Sequence, residues 1–180
     1  MSVRKKDFNA LIISGPVGVG KSSTADTMSE ILSKQDIAHA VVDMDYLRYA
    51  YPSPKDDPFN TELGLRNLSI ICKNYKAIGI KKLLIPTVVE SQADIDSLAN
   101  ALSSSKITVV YLEGQIETIH QRLHERHGKR DKDNLDWHLN RSIEQVEQNK
   151  GIKHRDFIVD TTNKSLPEVA NEVLDKWMVE

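Results

Sequence analysis

An apolar run, ALIIS at residues 10–14, leads directly into GPVGVGKS at 15–22 and then into STADTMSEIL. Glycines, a lysine and a serine between a strand-like and a helix-like segment leave few conformations open. The spacing is G-x-x-x-x-G-K-[ST], with Gly15, Gly20, Lys21 and Ser22 at the fixed positions, which is the pattern of a phosphate-binding loop. Glycine allows a tight turn that aims successive N–H groups inward, so Gly15, Pro16, Val17, Gly18, Val19, Gly20, Lys21, Ser22 and Ser23 are expected to cradle phosphate oxygens. Lys21 supplies a mobile cation and Ser22 a hydroxyl for Mg2+. The helix that opens here directs the positive end of its dipole at the anion. The flanks agree with this reading: Phe8 to Ser14 reads as a buried strand, and Met28, Ile31 and Leu32 recur at helical spacing.

A strand, loop and helix in that order open a parallel sheet, and the rest of the chain continues the alternation of short apolar runs with longer helical patterns. Strands are predicted at 10–14, 40–42, 82–85, 107–112 and 157–160, and helices at 21–35, 61–78, 93–102, 116–127 and 136–149. A last helix is predicted from Ser165, where Ser165 and Glu168 form a capping-box pattern with Pro167 in the first turn, and its core stripe is Val169, Val173 and Trp177. The expected class is α/β, a five-stranded parallel sheet with helices on both faces. Pro86 cannot donate to a ladder, so the third strand is ended at Ile85 and PTVVES is read as the loop that follows. Residues 51–60, YPSPKDDPFN, concentrate prolines and charge and predict either a contact-ordered surface loop or a mobile flap.

At 180 residues the chain fits one domain, 1–180. With 24 basic and 26 acidic residues the formal charge is -2, so no nucleic-acid or membrane partner is expected and any anion site must be local. Cys72 is the one cysteine, in an apolar helical stretch, which suits a reducing compartment. MSVRKKDFNA lacks the apolar stretch of a secretory signal, and no run approaches a membrane span; the expected location is the cytoplasm.

Open parallel sheets bind ligands beyond the carboxyl ends of their strands. The second strand closes with VVDMDYLR, which delivers Asp43 and Asp45 to one side and Arg48 a turn later. One of the two carboxylates can take the proton of a substrate hydroxyl and Arg48 can hold an anion; alternatively Asp43 or Asp45 caps a short helix from Tyr46. Arg122, Arg126 and Arg130 recur every four residues and predict either a cationic lid over transferring phosphates or a solvated basic face. His120 and His124 have a zinc-compatible spacing but lack the glutamate of H-E-x-x-H, so a metal there is not expected. Arg66 faces away from the stripe Gly64, Leu68, Ile71, Tyr75 and Ile78 and reads as a substrate anchor or an ordinary exposed arginine.

GPVGVGKS, D-x-D-x-x-R at Asp43, Asp45 and Arg48, and R-x-x-x-R at Arg122 and Arg126 together resemble the small P-loop kinases, in particular the adenylylsulfate-kinase-like, gluconate-kinase-like and chloramphenicol-phosphotransferase-like group. DFIVDTTNKSLPEVANEVL near the end is similar to theirs too. The resemblance implies a three-layer P-loop NTPase fold with sheet order 2-3-1-4-5 and a small lid over about 122–136. It implies ATP with Mg2+ as donor and a small-molecule hydroxyl as acceptor; a monomer or a homodimer is expected. Asp43 or Asp45 would then act as base, Asp45, Arg48, Arg66, Thr87 and Glu90 would hold the acceptor, and Arg122 and Arg126 would stabilise the transferring phosphoryl. Thr161 and Asn163 would border the adenine. DMDYLR lacks the D-G-D-N of the adenylylsulfate kinases, which leaves the acceptor open. The rival reading is a nucleotide-binding switch or regulatory module, but Asn163-Lys164-Ser165-Leu166 lacks the aspartate that reads guanine and there is no D-x-x-G.

Overall fold

The computed structural model describes residues 8–104, 106–127, 132–149 and 155–179. Strands β1 (Asn9–Ser14), β2 (His39–Val41), β3 (Lys82–Pro86), β4 (Lys106–Glu113) and β5 (Phe157–Asp160) form a parallel sheet in the order β2-β3-β1-β4-β5. The central strand β1 pairs with β3 from Asn9↔Lys82 to Ile13↔Pro86 and with β4 from Asn9↔Lys106 to Ser14↔Tyr111. Helices α1 (Lys21–Lys34), α2 (Met44–Leu47), α3 (Thr61–Ala77), α4 (Gln92–Leu102), α5 (Ile116–His127), α6 (Lys132–Asn149) and α7 (Leu166–Met178) surround it. This is the P-loop NTPase architecture expected from the sequence.

Side chains alternate across β1 and so feed two cores. Leu11 and Ile13 join Met28 and Leu32 of α1, Ile119 and Leu123 of α5, and Val169, Val173 and Trp177 of α7. Ala10 and Ile12 join Leu68 and Cys72 of α3 and Leu98 and Leu102 of α4. The expected capping box forms at α7, where Ser165 N–H and Oγ donate to Glu168 Oε2 at 2.8 and 2.6 Å. A second box, between Ser91 and Asp94, starts α4 at Gln92.

Four expectations are corrected. Pro86 belongs to β3: Thr87 N–H donates to Ile13 O, so by the two-residue period the nitrogen of Pro86 faces the β2 side, where Val42 N–H to Leu84 O is the last bond and the proline ends the ladder instead of interrupting it. The short helix begins at Met44, with Asp43 as its cap accepting from Asp45 N–H at 2.9 Å. Helix α6 begins at Lys132, and Ile78, expected in the core stripe of α3, is exposed at that helix's end. Residues 51–60 are ordered by contact, since the buried Asn60 amide donates to Arg48 O, Ala50 O and Ser53 Oγ. Asp57 accepts from Thr61 and Glu62 N–H groups, and the Thr61 bond first of all holds its carboxyl below the usual range. Among the described residues no helix is long and apolar enough to cross a membrane.

Candidate active site

The loop from Gly15 to Gly20 joins β1 to α1. Gly15 has φ +141°, and a side chain there would collide with Leu112 O; at Gly18, φ +83°, a Cβ would lie 2.7 Å from Leu123 of α5. These are positions where backbone hand and close approach both require glycine. Lys21 Nζ folds back to donate to Gly15 O and Pro16 O, each at 3.0 Å, and Val17 N–H donates to Gln145 Oε1 of α6 at 2.8 Å. Gly20 caps α1 without a side-chain oxygen, and no acidic residue stands in the first turn, so its first N–H groups face the loop with no carboxylate of their own. Burial pushes the Lys21 ammonium down to about 8, against the opposing fields of Asp45 and Asp43.

Ser22 Oγ donates to Asp43 Oδ2 at 2.7 Å. A hydroxyl and a carboxylate oxygen side by side at the helix start are hard donors of the kind Mg2+ takes alongside phosphate oxygens and water. Beyond them opens a cavity of about 390 Å3 that runs from Lys21 and Ser22 to Asp45, Arg48 and Thr87. Arg48 spans its floor: one Nη donates to Thr87 Oγ1 at 3.1 Å and lies 3.4 Å from Asp45, while Nε donates to Met44 O. Thr87 follows Pro86 at the carboxyl end of β3, so the extra residue in that strand sets its position. On the far wall Glu90 meets Arg141 of α6 at 2.7 Å.

The expected residues divide by place. Lys21, Ser22, Asp43, Asp45, Arg48, Thr87 and Glu90 line this cavity, and Arg66 does not; it lies exposed, its Nε toward Glu62 O of its own helix. The Arg122 guanidinium is engaged with Val19 O at 3.1 Å, Thr161 Oγ1 at 3.0 Å and Thr161 O at 2.8 Å, so it braces the phosphate loop against the segment after β5. Arg126 lies exposed one turn further on, and its charge reaches Lys21. Arg130, within residues 128–131 of the expected lid, lies outside the described residues. Asn163 is exposed beside Thr162, which lines a second cavity of about 450 Å3 at the carboxyl ends of β4 and β5. His120 lies 3.1 Å from Ser142 Oγ of α6, and among the described residues no group of three or more His, Cys, Asp or Glu side chains is placed to hold a metal.

The sequence predicts α6 as a helix but does not place it at the site. Trp137, His138, Arg141 and Gln145 all line the cavity. Their spacing is that of one helix face, a signal present in the sequence, but nothing local says which surface that face meets.

No protein-family model matches the chain, and no curated protein matches it either. Solved structures do match. Adenylylsulfate (APS) kinase of Mycobacterium tuberculosis, in complex with AMPPNP and APS, aligns at TM-score 0.65 and 19% identity over 97% of this chain and 99% of that one. A gluconokinase from Sinorhizobium meliloti 1021 aligns at TM-score 0.63 and 19% identity, covering 96% and 94%. Shikimate kinase from Acinetobacter baumannii, in complex with shikimate, aligns at TM-score 0.59 and 15% identity, covering 97% and 95%. Over almost its whole length, the chain shares the fold of the small P-loop kinases.

Proposed function

We propose that the protein transfers the γ-phosphoryl group of ATP to a hydroxyl of a small molecule. The observation that carries the reading is the continuity of the cavity from Lys21 and Ser22 to Asp45, Arg48 and Thr87. A phosphate grip and an acceptor chamber in one space are what in-line phosphoryl transfer needs, since its catalysis is mostly positioning and charge neutralisation. Lys21 swings from its carbonyl partners to the outer phosphates. Ser22 Oγ and Asp43 would hold Mg2+, which when bound would supply positive charge beside the phosphate oxygens. Asp45, two residues beyond the cap and largely exposed, accepts the proton of the attacking hydroxyl. Arg48 and Thr87 orient the acceptor. Arg122, occupied by Val19 and Thr161, flanks the nucleotide, and Arg126 is left to meet the transferring phosphoryl. The location proposed with this activity is the cytoplasm, a reducing compartment in which a free buried thiol such as Cys72 is ordinary.

The test is ATP consumption with Mg2+ across a panel of hydroxylated metabolites, for the parent chain, Lys21→Ala and Asp45→Asn. A short list of acceptors is expected. Lys21→Ala should abolish turnover, and Asp45→Asn should lower kcat by about 10²–10⁴-fold with ATP affinity kept. Full turnover by both variants would refute the assignment.

A further inference from the structure

The acceptor chamber has charge and shape of its own, and if the phosphoryl-transfer reading holds, on which this inference rests, they restrict what can be phosphorylated. Both arginines that line it are already matched. Arg48 lies 3.4 Å from Asp45, and Arg141 lies 2.7 Å from Glu90 and 3.2 Å from Glu144. Lys21 belongs to the phosphate loop. Arg66, the remaining expected anchor for an anion, points elsewhere. Among the described lining residues, carboxylates outnumber lysines and arginines.

Those carboxylates are not equivalent. Asp43 is bonded to Ser22, Glu90 is paired with Arg141, and Asp94 accepts from the Glu90 and Ser91 N–H groups. Glu62, in the first turn of α3, lines the chamber with a carboxylate that has no hydrogen bond or ion pair among the described residues. Two aromatic rings share the same space and are about half exposed: Phe59 is 57% exposed, and Trp137, which also meets the His138 ring edge-on, 51%. An anionic acceptor placed here would sit among carboxylates, and turning Arg48 toward it would leave Asp45 facing a like charge. An ammonium group finds the opposite: an unmatched carboxylate, and ring faces that attract cations.

We propose that the phosphoryl acceptor is an amine-bearing alcohol with an aromatic or apolar ring, and not a sugar acid or a sulfated or phosphorylated nucleotide. Its ring packs on Phe59 and Trp137, its ammonium meets Glu62, and its hydroxyl faces Asp45. Glu62 is then a specificity-determining residue.

Three probes with one phenyl scaffold separate the possibilities: 2-amino-1-phenylethanol (cationic), 1-phenyl-1,2-ethanediol (neutral) and mandelate (anionic). Each is titrated by ligand-observed NMR into the full chain with AMPPNP and Mg2+. The amine should bind about tenfold more tightly than the diol and mandelate more weakly than either, a margin in keeping with one ion pair and one cation–ring contact. Glu62→Gln should bring the amine to the level of the diol, and Phe59→Leu should weaken amine and diol alike. AMPPNP affinity, measured on each variant, reports whether the fold is kept. Tighter binding of mandelate, a Glu62→Gln variant that keeps the amine preference, or no binding by the amine would each overturn the inference. The parent reading fails differently: a chain that prefers the amine but transfers no phosphoryl group from ATP to any alcohol of the panel would refute kinase turnover and leave the selectivity of the chamber standing.

Discussion

The Val17 N–H donates to Gln145 Oε1 at 2.8 Å, across 128 positions of sequence, and Gln145 is almost wholly buried. Helix α6 therefore fixes the strand side of the phosphate loop while its neighbours Trp137 and Arg141 line the chamber. Loop shape and chamber wall are set by one rigid element.

Replacing Gln145 by Leu leaves the half-buried Val17 N–H without its acceptor, which should destabilise the chain by about 1 kcal/mol. ATP affinity should also fall, by about tenfold, because the loop loses its preformed shape. Urea unfolding and calorimetry read the two effects. Unchanged ATP affinity in Gln145→Leu would show that α6 does not position the loop.

Gly15→Ala places a methyl group against Leu112 O at a backbone angle that only glycine adopts freely. The loop or β4 must shift, so a loss of about 1–3 kcal/mol is expected together with loss of nucleotide binding. Gly18→Ala meets the buried side chains of Leu123 and Ile119 instead, at 2.7 and 3.0 Å, which can shift at a smaller cost than backbone. Thermal unfolding should rank Gly15→Ala as the more damaging, and the reverse order would mean that the loop is differently shaped.

Lys21 makes ATP binding pH-dependent. Its pKa falls from 10.5 to about 8 on folding, chiefly through burial, so between those values the unfolded chain binds more protons than the folded one. The charged lysine thus opposes folding below about pH 8, and stability gains from this group as pH rises toward 10.5. A bound triphosphate reverses the shift. Near pH 8 binding should take up about half a proton, and at about pH 6.5 none from this group, with affinity falling above pH 8. Calorimetry in two buffers of different ionisation enthalpy measures the uptake; equal heats at pH 8 would contradict it.

The helices on both faces, the parallel sheet and the phosphate loop were legible in the sequence because each depends on local pattern: alternation of apolar runs, glycines at fixed spacing, a capping box at Ser165. Asp43, Asp45 and Arg48 were legible as a group for the same reason, since a strand end brings them together. Pro86 misled because its cost depends on where the neighbouring strand stops, which the sequence of β3 does not contain. Arg66 misled because facing away from the core does not specify facing the ligand. Gln145 and Arg141 were missed because their partners, Val17 and Glu90, are distant in the chain, so the helix face that holds them reads as ordinary polar surface until α6 is docked.

Calorimetric titration of the full chain with ATP, with and without Mg2+, tests most directly that residues 15–22 grip a triphosphate. Expected is saturable binding at one site per chain, strengthened by Mg2+, weakened in Ser22→Ala chiefly when Mg2+ is present, and lost in Lys21→Ala. Absence of saturable heat for any nucleoside triphosphate, in a chain that is folded by circular dichroism, would contradict the assignment of the loop and with it the roles given to Asp43, Asp45 and Arg126.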